Sequence, residues 1–416
     1  MNILIVYPRP DKSKKPRFGF SYEMMVLATV FSAEHSVTIR DYSCEEYDEK
    51  WLINHRDDNS YDVVFVECDS FALKRSQNIE NASEIIQLFN GYVDTVAYGN
   101  YCYITKKAFP SAKYTIFDND INKAIDLLNS LSKKEKIPHI DKYDEQPIIN
   151  RSLLLDIDYY RQNRLSTLLQ TAKGCENTCV FCQRKGWQNH YEMHSDDYVI
   201  KELTALNDLG IKNVWITDEN FTFNLSRAKR LLRKIVDLGL TRNLSLFISS
   251  WANIDFDFLK LASESNIRII SFGIETGNDA ILKYYRKNIA LDSIQAKINY
   301  ANECGIFTVG NFIIGAPMEN SDTITQTFDL IRRCQFDQVN IKILDYMIGS
   351  ELYSFLPECM QSSDSVFACK ENGLTNFTLD EMIKIKSDFL KEYYQEHQAV
   401  ISRKISKYGK PYSMEI

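Results

Sequence analysis

Apolar runs typical of strands alternate with helical patterns along most of this chain, and that alternation constrains the fold more than any single motif. Asp62–Glu67 contains a continuous apolar run of the kind that is buried on both faces of a parallel sheet. Ile121–Leu131 instead has its apolar residues at the spacing of an amphipathic helix. Repeated strand–helix units favour parallel sheets covered by helices. We therefore predict an α/β protein.

The chain has 416 residues, enough for two or three domains with cores of their own. The first two predicted regions are a doubly wound Rossmann-like sheet (residues 1–132) and a polar connector (residues 133–164). They are followed by a partial (β/α)6 barrel of the TIM type (residues 165–351) and a helical C-terminal region (residues 352–416). The strands predicted for the barrel are Thr167–Thr171, Asn213–Thr217, Ser245–Ser250, Arg268–Gly273, Phe307–Gly315 and Gln338–Leu344. Thr378 and Glu381 have the spacing of a capping box that opens a helix over 380–402.

Composition and charge argue against several classes of protein. Hydrophobic residues make up 44% and charged residues 25%, as in ordinary soluble globular proteins. The formal net charge of −7 gives no reason to expect a nucleic-acid partner. No apolar run approaches the roughly 18 residues of a membrane span, and Met1–Tyr7 is too short for a signal peptide. We therefore expect a cytoplasmic protein without membrane association, whose cysteines stay reduced.

Three of the ten cysteines lie close together, with the spacing C-x3-C-x2-C. Cys175, Cys179 and Cys182 form a soft ligand set that suits an iron–sulfur cluster or zinc. Most iron–sulfur clusters use four cysteines, so three ligands leave one metal position open for chemistry. Zinc would need a fourth ligand, and His190 or His194 is near enough in sequence. The spacing favours a catalytic cluster and leaves a structural zinc site as the alternative.

Polar residues and glycines stand at the ends of several predicted barrel strands, which is where the active sites of such barrels lie. Carboxylates at these positions accept hydrogen bonds from cations, and glycines let a ligand approach the backbone. Helix capping by Asn220 or Asn224, and an ordinary Gly-Ala-Pro turn after the fifth strand, are the structural alternatives. The candidate residues are Asp218, Glu219, Ser249, Glu275, Asn311 and Gly315.

Taken together, these segments resemble the radical S-adenosylmethionine superfamily. The cysteine run, with Phe181 between its last two cysteines, resembles the cluster loop of that family. Gly273–Gly277 resembles its G-I-E-S/T element and Gly310–Pro317 its G-x-F-I-x-G-x-P element. Gly349–Tyr353 resembles P-G-T-x-L-Y, with Ile348 in place of the proline.

The resemblance implies cofactors and roles for the candidate residues. The three cysteines would hold a 4Fe–4S cluster whose fourth iron chelates S-adenosylmethionine, and one-electron cleavage would release a 5′-deoxyadenosyl radical. The resemblance also implies a reductant such as flavodoxin or ferredoxin. Relatives usually carry an arginine near the position of Ser249, and this sequence has none there; the resemblance implies that Ser249 faces the cofactor instead. The other implied cofactor-binding residues are Phe181, Asp218, Glu219, Glu275, Asn311 and Gly315.

The N-terminal region resembles, more loosely, the cobalamin-binding domain that precedes the radical domain in many of these enzymes. The order of elements agrees, beginning with a strand that ends in Tyr7–Pro10. Asn100 and Asp118–Asp120 stand where relatives often have glycines, and D-x-H-x-x-G is absent from the sequence. Cobalamin is therefore implied as an additional cofactor, with a degenerate domain that serves packing or substrate docking as the alternative.

These resemblances imply a radical enzyme that abstracts hydrogen from an unactivated carbon, with cobalamin-dependent C-methylation of a natural product or peptide as the leading reaction. A cobalamin-independent epimerisation, rearrangement or bond formation is the alternative. A zinc-stabilised binding protein is a third hypothesis. Cys44, Cys68 and Cys102 raise the option of a methylthiolating relative with a second cluster, although no cysteine follows the first strand. Cys359 or Cys369 is a candidate hydrogen-atom donor, with an inert thiol as the alternative.

Overall fold

The computed structural model describes residues 1–8, 21–42, 45–68, 75–132, 136–154, 157–162, 166–186 and 190–410. Three residues of the sequence motifs lie outside these ranges: Arg9, Pro10 and Cys44. The strands are β1 (Asn2–Tyr7), β2 (Ser36–Asp41), β3 (Val63–Glu67), β4 (Asp94–Tyr98), β5 (Tyr114–Thr115), β6 (Ser166–Leu169), β7 (Ala172–Lys173), β8 (Glu192–Met193), β9 (Asn213–Ile216), β10 (Ser245–Trp251), β11 (Ile267–Glu275), β12 (Phe307–Ile314), β13 (Gln338–Ile343), β14 (Asp345–Met347) and β15 (Ser365–Phe367).

Helices alternate with these strands through most of the chain. The α-helices are α1 (Tyr22–Phe31), α2 (Glu49–Asp57), α3 (Arg75–Phe89), α4 (Asn100–Thr105), α5 (Ile121–Leu131), α6 (Ile157–Gln162), α7 (Asp196–Asp208), α8 (Leu225–Asp237), α9 (Phe256–Glu264), α10 (Asp279–Tyr285), α11 (Ile294–Glu303), α12 (Ser321–Cys334), α13 (Glu351–Ser354) and α14 (Leu379–Tyr408). The predicted α/β class, with parallel sheets and a helical C-terminal segment, is confirmed.

The chain divides into two compact units. The first comprises Met1–Gln170 and Glu192–Lys212, and the second comprises Thr171–Tyr191 and Asn213–Ile416. Every helix within the described ranges is too short or too polar to span a lipid bilayer.

The first unit contains a five-stranded sheet with the order β2-β1-β3-β4-β5. All its neighbouring strands are parallel. The side chains of Ile3–Val6 and Val63–Val66 are completely buried, because both faces of the central strands are covered. The short helix α2 was not predicted; it lies in a polar segment and begins where the Asp48 side chain accepts a hydrogen bond from the Trp51 amide at 2.9 Å.

In the second unit, consecutive parallel strands lie in the order β13-β12-β11-β10-β9. Their carboxyl ends share one edge, which brings the predicted motif segments together there. The predicted end of the fourth barrel strand at Gly273 is wrong, because β11 continues to Glu275 through a register shift. The antiparallel pair β14–β15 was not predicted either.

The C-terminal segment of the second unit consists mainly of the 30-residue helix α14. Its capping box is present as predicted, with the Thr378 hydroxyl and the Glu381 carboxylate each accepting the other residue's amide hydrogen. The helix extends beyond the predicted end at residue 402 to Tyr408. Near that end the Lys404 ammonium donates to Asp337, Asn302 and the Ile306 carbonyl, each at 2.6 Å.

Candidate functional site

The three cysteines lie in an irregular loop that begins with a tight turn at Gly174. This glycine has φ +84, and a Cβ placed there would lie only 1.8 Å from the His190 carbonyl oxygen. Only glycine fits this backbone conformation and this close approach. The chain therefore turns sharply from β7 into the cysteine segment, and the three thiols are presented within a single loop.

The thiols form a partly buried group. The Asn177 side-chain amide donates to the Cys175 sulfur at 3.1 Å. Burial raises the pKa of the Cys179 thiol to about 12, and the neighbouring thiols Cys182 and Cys175 add to this effect. Burial also raises the pKa of Cys175, although its hydrogen bonds from Asn177 oppose the shift. Ionising three such thiols side by side requires positive charge, which iron ions supply.

The middle of the loop is anchored by the apolar residue Val180. Its amide donates to the Tyr285 carbonyl at 3.4 Å, and its carbonyl accepts from the Leu352 amide at 3.0 Å. The Phe181 ring packs edge-to-face on Tyr285 with 5.1 Å between ring centroids. The motif segment Gly349–Tyr353 after β14 therefore fixes the backbone of the cysteine loop through Leu352.

Asp218 holds the strand that leads into the loop. Its carboxylate is buried and accepts from the Thr171 amide at 2.6 Å, the Thr171 hydroxyl at 2.5 Å and the Ala172 amide at 3.0 Å. Burial raises its pKa to about 6, opposed by the nearby Arg227 guanidinium, which itself donates to Thr171. With these acceptor positions already used inside the protein, Asp218 acts as a support for the loop.

Glu219 lies directly against the cysteine loop. One carboxylate oxygen accepts from the Gly174 amide at 2.9 Å, and the other lies 3.6 Å from the Arg184 guanidinium. The carboxylate thus fixes the turn before Cys175 and is balanced by a cation. Asn224, one of the two predicted caps, does cap α8, whereas Asn220 accepts from the Trp251 amide at 3.2 Å instead.

Glu275 occupies an unusual backbone position at the end of β11. It has φ +75 at the register shift, a conformation that is uncommon for residues other than glycine. Its buried carboxylate lies 2.8 Å from the ammonium group of Lys287, which is also buried. Strained backbone that persists at a strand end is characteristic of functional positions.

The remaining candidates lie on the neighbouring strands. The Ser249 carbonyl accepts from the Phe221 amide at 3.0 Å and so fixes the segment after β9. The Asn311 side chain donates to Ser271 at 2.8 Å and accepts from Asn340 at 3.1 Å, and it links β11, β12 and β13.

The turn after β12 depends on a residue that the sequence analysis did not single out. Gly315 has φ +104, and its amide donates to the Glu319 carboxylate. The Ala316 amide donates to the same oxygen at 3.0 Å. Glu319 is completely buried, and burial raises its pKa to about 7. Glu319 therefore holds the backbone of the Gly-Ala-Pro turn in place.

The donor set of the loop fits an iron–sulfur cluster. In the described ranges, no group of three or more His, Cys, Asp or Glu residues converges on one ion position. A four-iron cluster binds each cysteine thiolate at a different iron, so three thiols presented by one loop suit such a cluster. The zinc candidate His194 has its ring stacked between Tyr143 and Tyr198, with centroid separations of 3.9 and 3.7 Å.

A protein-family comparison bears directly on this loop. Residues 169–331, which include all three cysteines, match the model described as "Radical SAM superfamily". The chain carries a radical SAM domain. The expectation of an enzyme is thereby confirmed, since the radical SAM domain is a catalytic domain.

Curated relatives of this radical SAM domain include methyltransferases. An uncharacterized methyltransferase of Pyrococcus horikoshii is 29% identical over 226 residues, covering 52% of this chain and 48% of the relative. Cytidylyl-2-hydroxyethylphosphonate methyltransferase of Streptomyces wedmorensis is 28% identical over 224 residues, covering 52% of this chain and 41% of the relative. The chain thus spans about half, or less, of these two relatives.

Solved structures extend the similarity beyond the radical SAM domain. The radical S-adenosylmethionine methyltransferase TsrM from Kitasatospora setae, solved with cobalamin and a [4Fe-4S] cluster, has a TM-score of 0.75 at 18% identity, covering 86% of this chain and 78% of its own. The cobalamin-dependent S-adenosylmethionine radical enzyme OxsB has a TM-score of 0.66 at 16% identity, covering 85% and 55%. At sequence identities this low, the structural similarity shows a shared fold and nothing more.

Several residues of the site carry no local motif that would reveal them. Three of them are cations: Arg184 lies beside Glu219, and Lys287 pairs with Glu275. The third, Arg227, donates to Thr171, which in turn binds Asp218. The sequence gives no distinct signal for Lys287, which lies between Arg286 and Asn288 in a polar stretch after α10. Their pairing depends on the fold, because each cation meets its partner from a different element.

Proposed function

We propose that Cys175, Cys179 and Cys182 bind a 4Fe–4S cluster and that the open iron binds S-adenosylmethionine. Bound together, these cofactors would supply a 5′-deoxyadenosyl radical by one-electron cleavage of the sulfonium, which is the chemistry needed to take a hydrogen atom from an unactivated carbon. The observation that carries this proposal is the single cysteine loop, fixed by Gly174 and Val180, within the match to the radical SAM superfamily.

The chain's own residues would then serve two purposes. Asp218 and Glu219 hold the backbone on the N-terminal side of the loop, and Glu219 keeps carboxylate charge near it. Glu275 offers its remaining oxygen to the ribose or the amine of S-adenosylmethionine. Phe181 and the polar side chains Ser249 and Asn311 would contact the cofactor together with the backbone at Gly315. Burial of the loop would limit the access of water to the radical.

We further propose that the second unit contributes a partial (β/α)6 barrel and that the first unit is a Rossmann-like domain that binds cobalamin. The support is the parallel sheet of the first unit and the shared fold with TsrM and OxsB, which carry cobalamin. Methylcobalamin would supply the methyl group for a substrate carbon, and methyltransferase names among the relatives favour this reaction. The domain bounds at residues 132, 164 and 351 belong to this proposal.

The substrate would be a small molecule or a peptide, and the electron would come from a flavodoxin or ferredoxin in the cytoplasm. A cobalamin-independent epimerisation, rearrangement or bond formation is the second candidate. Two departures from the cobalamin-binding pattern favour it, since they have structural roles: Asn100 is the buried first residue of α4, and Asp120 caps α5 by accepting from the Asn122 amide at 2.9 Å.

The test is an ultraviolet–visible spectrum of protein purified without oxygen, incubated with hydroxocobalamin and desalted, together with iron and sulfide content. Broad cluster absorbance with corrinoid bands is expected. Cluster absorbance alone would favour the cobalamin-independent reactions, and zinc in place of iron would refute the radical proposal.

A matched pair of variants connects the cluster to chemistry. Cys179→Ala should lose the cluster and the release of 5′-deoxyadenosine, while far-UV circular dichroism stays unchanged. Cys304→Ala removes a partly exposed thiol outside the loop and should behave as the wild type in these assays. Normal 5′-deoxyadenosine release by Cys179→Ala would contradict the assignment.

A further inference from the structure

Lys287 is a buried lysine at the edge of the cysteine site, with 6% of its surface exposed. It follows α10, after Arg286 turns the backbone with φ +55, and its amide donates to the Leu282 carbonyl at 2.9 Å. The backbone is thus fixed so that the side chain points inward. Lysine is almost never buried unless it is paired, so this placement requires a compensating interaction.

Two groups face the Lys287 ammonium. The Glu275 carboxylate accepts from it at 2.8 Å, and the Trp251 ring centroid lies 3.9 Å away in cation–π geometry. Gly273 leaves room for this arrangement, since a Cβ there would lie 2.8 Å from the Glu275 oxygen and 3.1 Å from the Lys287 nitrogen. Glu275, Trp251 and Gly273 thus form a closely fitting environment for the Lys287 ammonium group.

The same cation acts on the cysteine loop. Burial raises the pKa of Cys179, and Lys287 is the largest influence in the opposite direction, ahead of the charges of Cys182 and Glu275. The backbone geometry agrees with this: the amide of Val180, the residue after Cys179, donates to the Tyr285 carbonyl at 3.4 Å, two residues before Lys287, so the segment that carries the lysine contacts the cysteine loop. Glu275 acts on the same sulfur with the opposite sign.

We infer that Lys287 is a positioning residue with an electrostatic role: it fixes the Glu275 carboxylate and sets the reduction potential of the cluster by supplying positive charge beside Cys179. The inference rests on the proposed cluster binding and adds a determinant of electron uptake. One-electron reduction makes the cluster more negative by one unit, so a nearby cation favours the reduced form and a nearby carboxylate disfavours it.

This role predicts opposite effects of the two charges. Lys287→Met should shift the midpoint potential of the cluster to more negative values, and Glu275→Gln should shift it to more positive values. Each shift should change the ratio of reduced to oxidised cluster about tenfold at a fixed ambient potential, as Coulomb's law gives for a unit charge at ~10 Å in an effective dielectric of about 20. The double variant should return near the wild-type potential, since the removed charges cancel.

The experiment is a redox titration of the reconstituted full chain without S-adenosylmethionine, with the reduced cluster measured by electron paramagnetic resonance. Lys283→Met is the matched control, because it removes the same charge from the exposed face of α10. It should leave the potential unchanged. The inference would be overturned if the midpoint potential shifted in the same direction in Lys287→Met and Glu275→Gln, or failed to shift in one or both of them. The two residues would then be a structural ion pair.

Failure of the proposed function is distinguishable from failure of this inference. Wild-type protein that takes up no cluster would refute cluster binding itself. If Lys287→Met does not load, Glu275→Gln and Lys287→Arg decide the matter. A more positive midpoint potential in Glu275→Gln together with a wild-type potential in Lys287→Arg supports the charge effect. Any other result overturns it.

Discussion

Lys404 anchors the last turns of α14, and Lys404→Met is expected to lower the unfolding free energy of the second unit by about 3–5 kcal/mol. The ammonium group is buried and donates to the Asp337 carboxylate, the Asn302 side chain and the Ile306 carbonyl. Burial lowers the pKa of Lys404, and Asp337 opposes that shift. The helix end is thus held by an internal charged contact.

The magnitude follows from what the substitution leaves behind. Asp337 is itself buried, and without Lys404 its carboxylate would keep, among the described residues, the hydrogen bonds from the Thr308 amide at 2.8 Å and the Thr308 hydroxyl at 3.3 Å. Breaking a buried pair from one side leaves an uncompensated charge, which costs about 3–5 kcal/mol. Asp337→Asn added to Lys404→Met removes that charge, so the double variant should recover most of the loss.

Hydrogen exchange on α14 peptides measures the effect locally, so that unfolding of the first unit does not obscure it. Lys391→Met is the control, because Lys391 is exposed on the same helix. A change below about 1 kcal/mol for Lys404→Met, the range of an exposed ion pair, would refute the reasoning. A double variant no better than the single variant would show that lost packing dominates.

Two further predictions concern the turn after β12 and the close contact after β11. The pKa of Glu319 is raised to about 7 in the folded protein, so the folded state keeps a proton that the unfolded state releases; the stability contributed by Glu319 should fall by about 2–3 kcal/mol from pH 5 to pH 8, and Glu319→Gln should remove this slope in urea titrations. A slope that is unchanged in Glu319→Gln would contradict the buried carboxyl. Gly277→Ala would place a Cβ 2.6 Å from the Gln326 carbonyl oxygen, so α12 must shift and stability should fall by about 1–3 kcal/mol; a neutral effect in urea denaturation would contradict this close contact.

Local patterns in the sequence predicted much of the second unit. The cysteine loop and Gly174 could be identified because spacing and a glycine at a tight turn are properties of neighbouring residues. The helix over Ile121–Leu131 has the bounds that its apolar spacing predicts. The capping box at Thr378 likewise depends on residues three positions apart.

The rest depends on contacts that spacing does not encode. Asp218 was expected to face a ligand, but its acceptors are used by Thr171 and Ala172, 47 and 46 positions away. Glu275 was placed beyond the strand, because a register shift that extends β11 has no signature in the apolar pattern. Lys287 was missed because a buried cation is indistinguishable in sequence from an exposed one.

The charge pairing around the cysteine loop has a consequence for how the enzyme matures. Glu219 and Glu275 are each matched by a cation, Arg184 and Lys287, within the folded chain. The walls of the site therefore do not depend on iron for their electrostatic balance, unlike small metal-dependent domains that fold only when the ion arrives. Iron and sulfide can then be delivered after folding. A cluster-assembly scaffold protein would transfer them to a site that is already folded and whose three thiols become the cluster ligands.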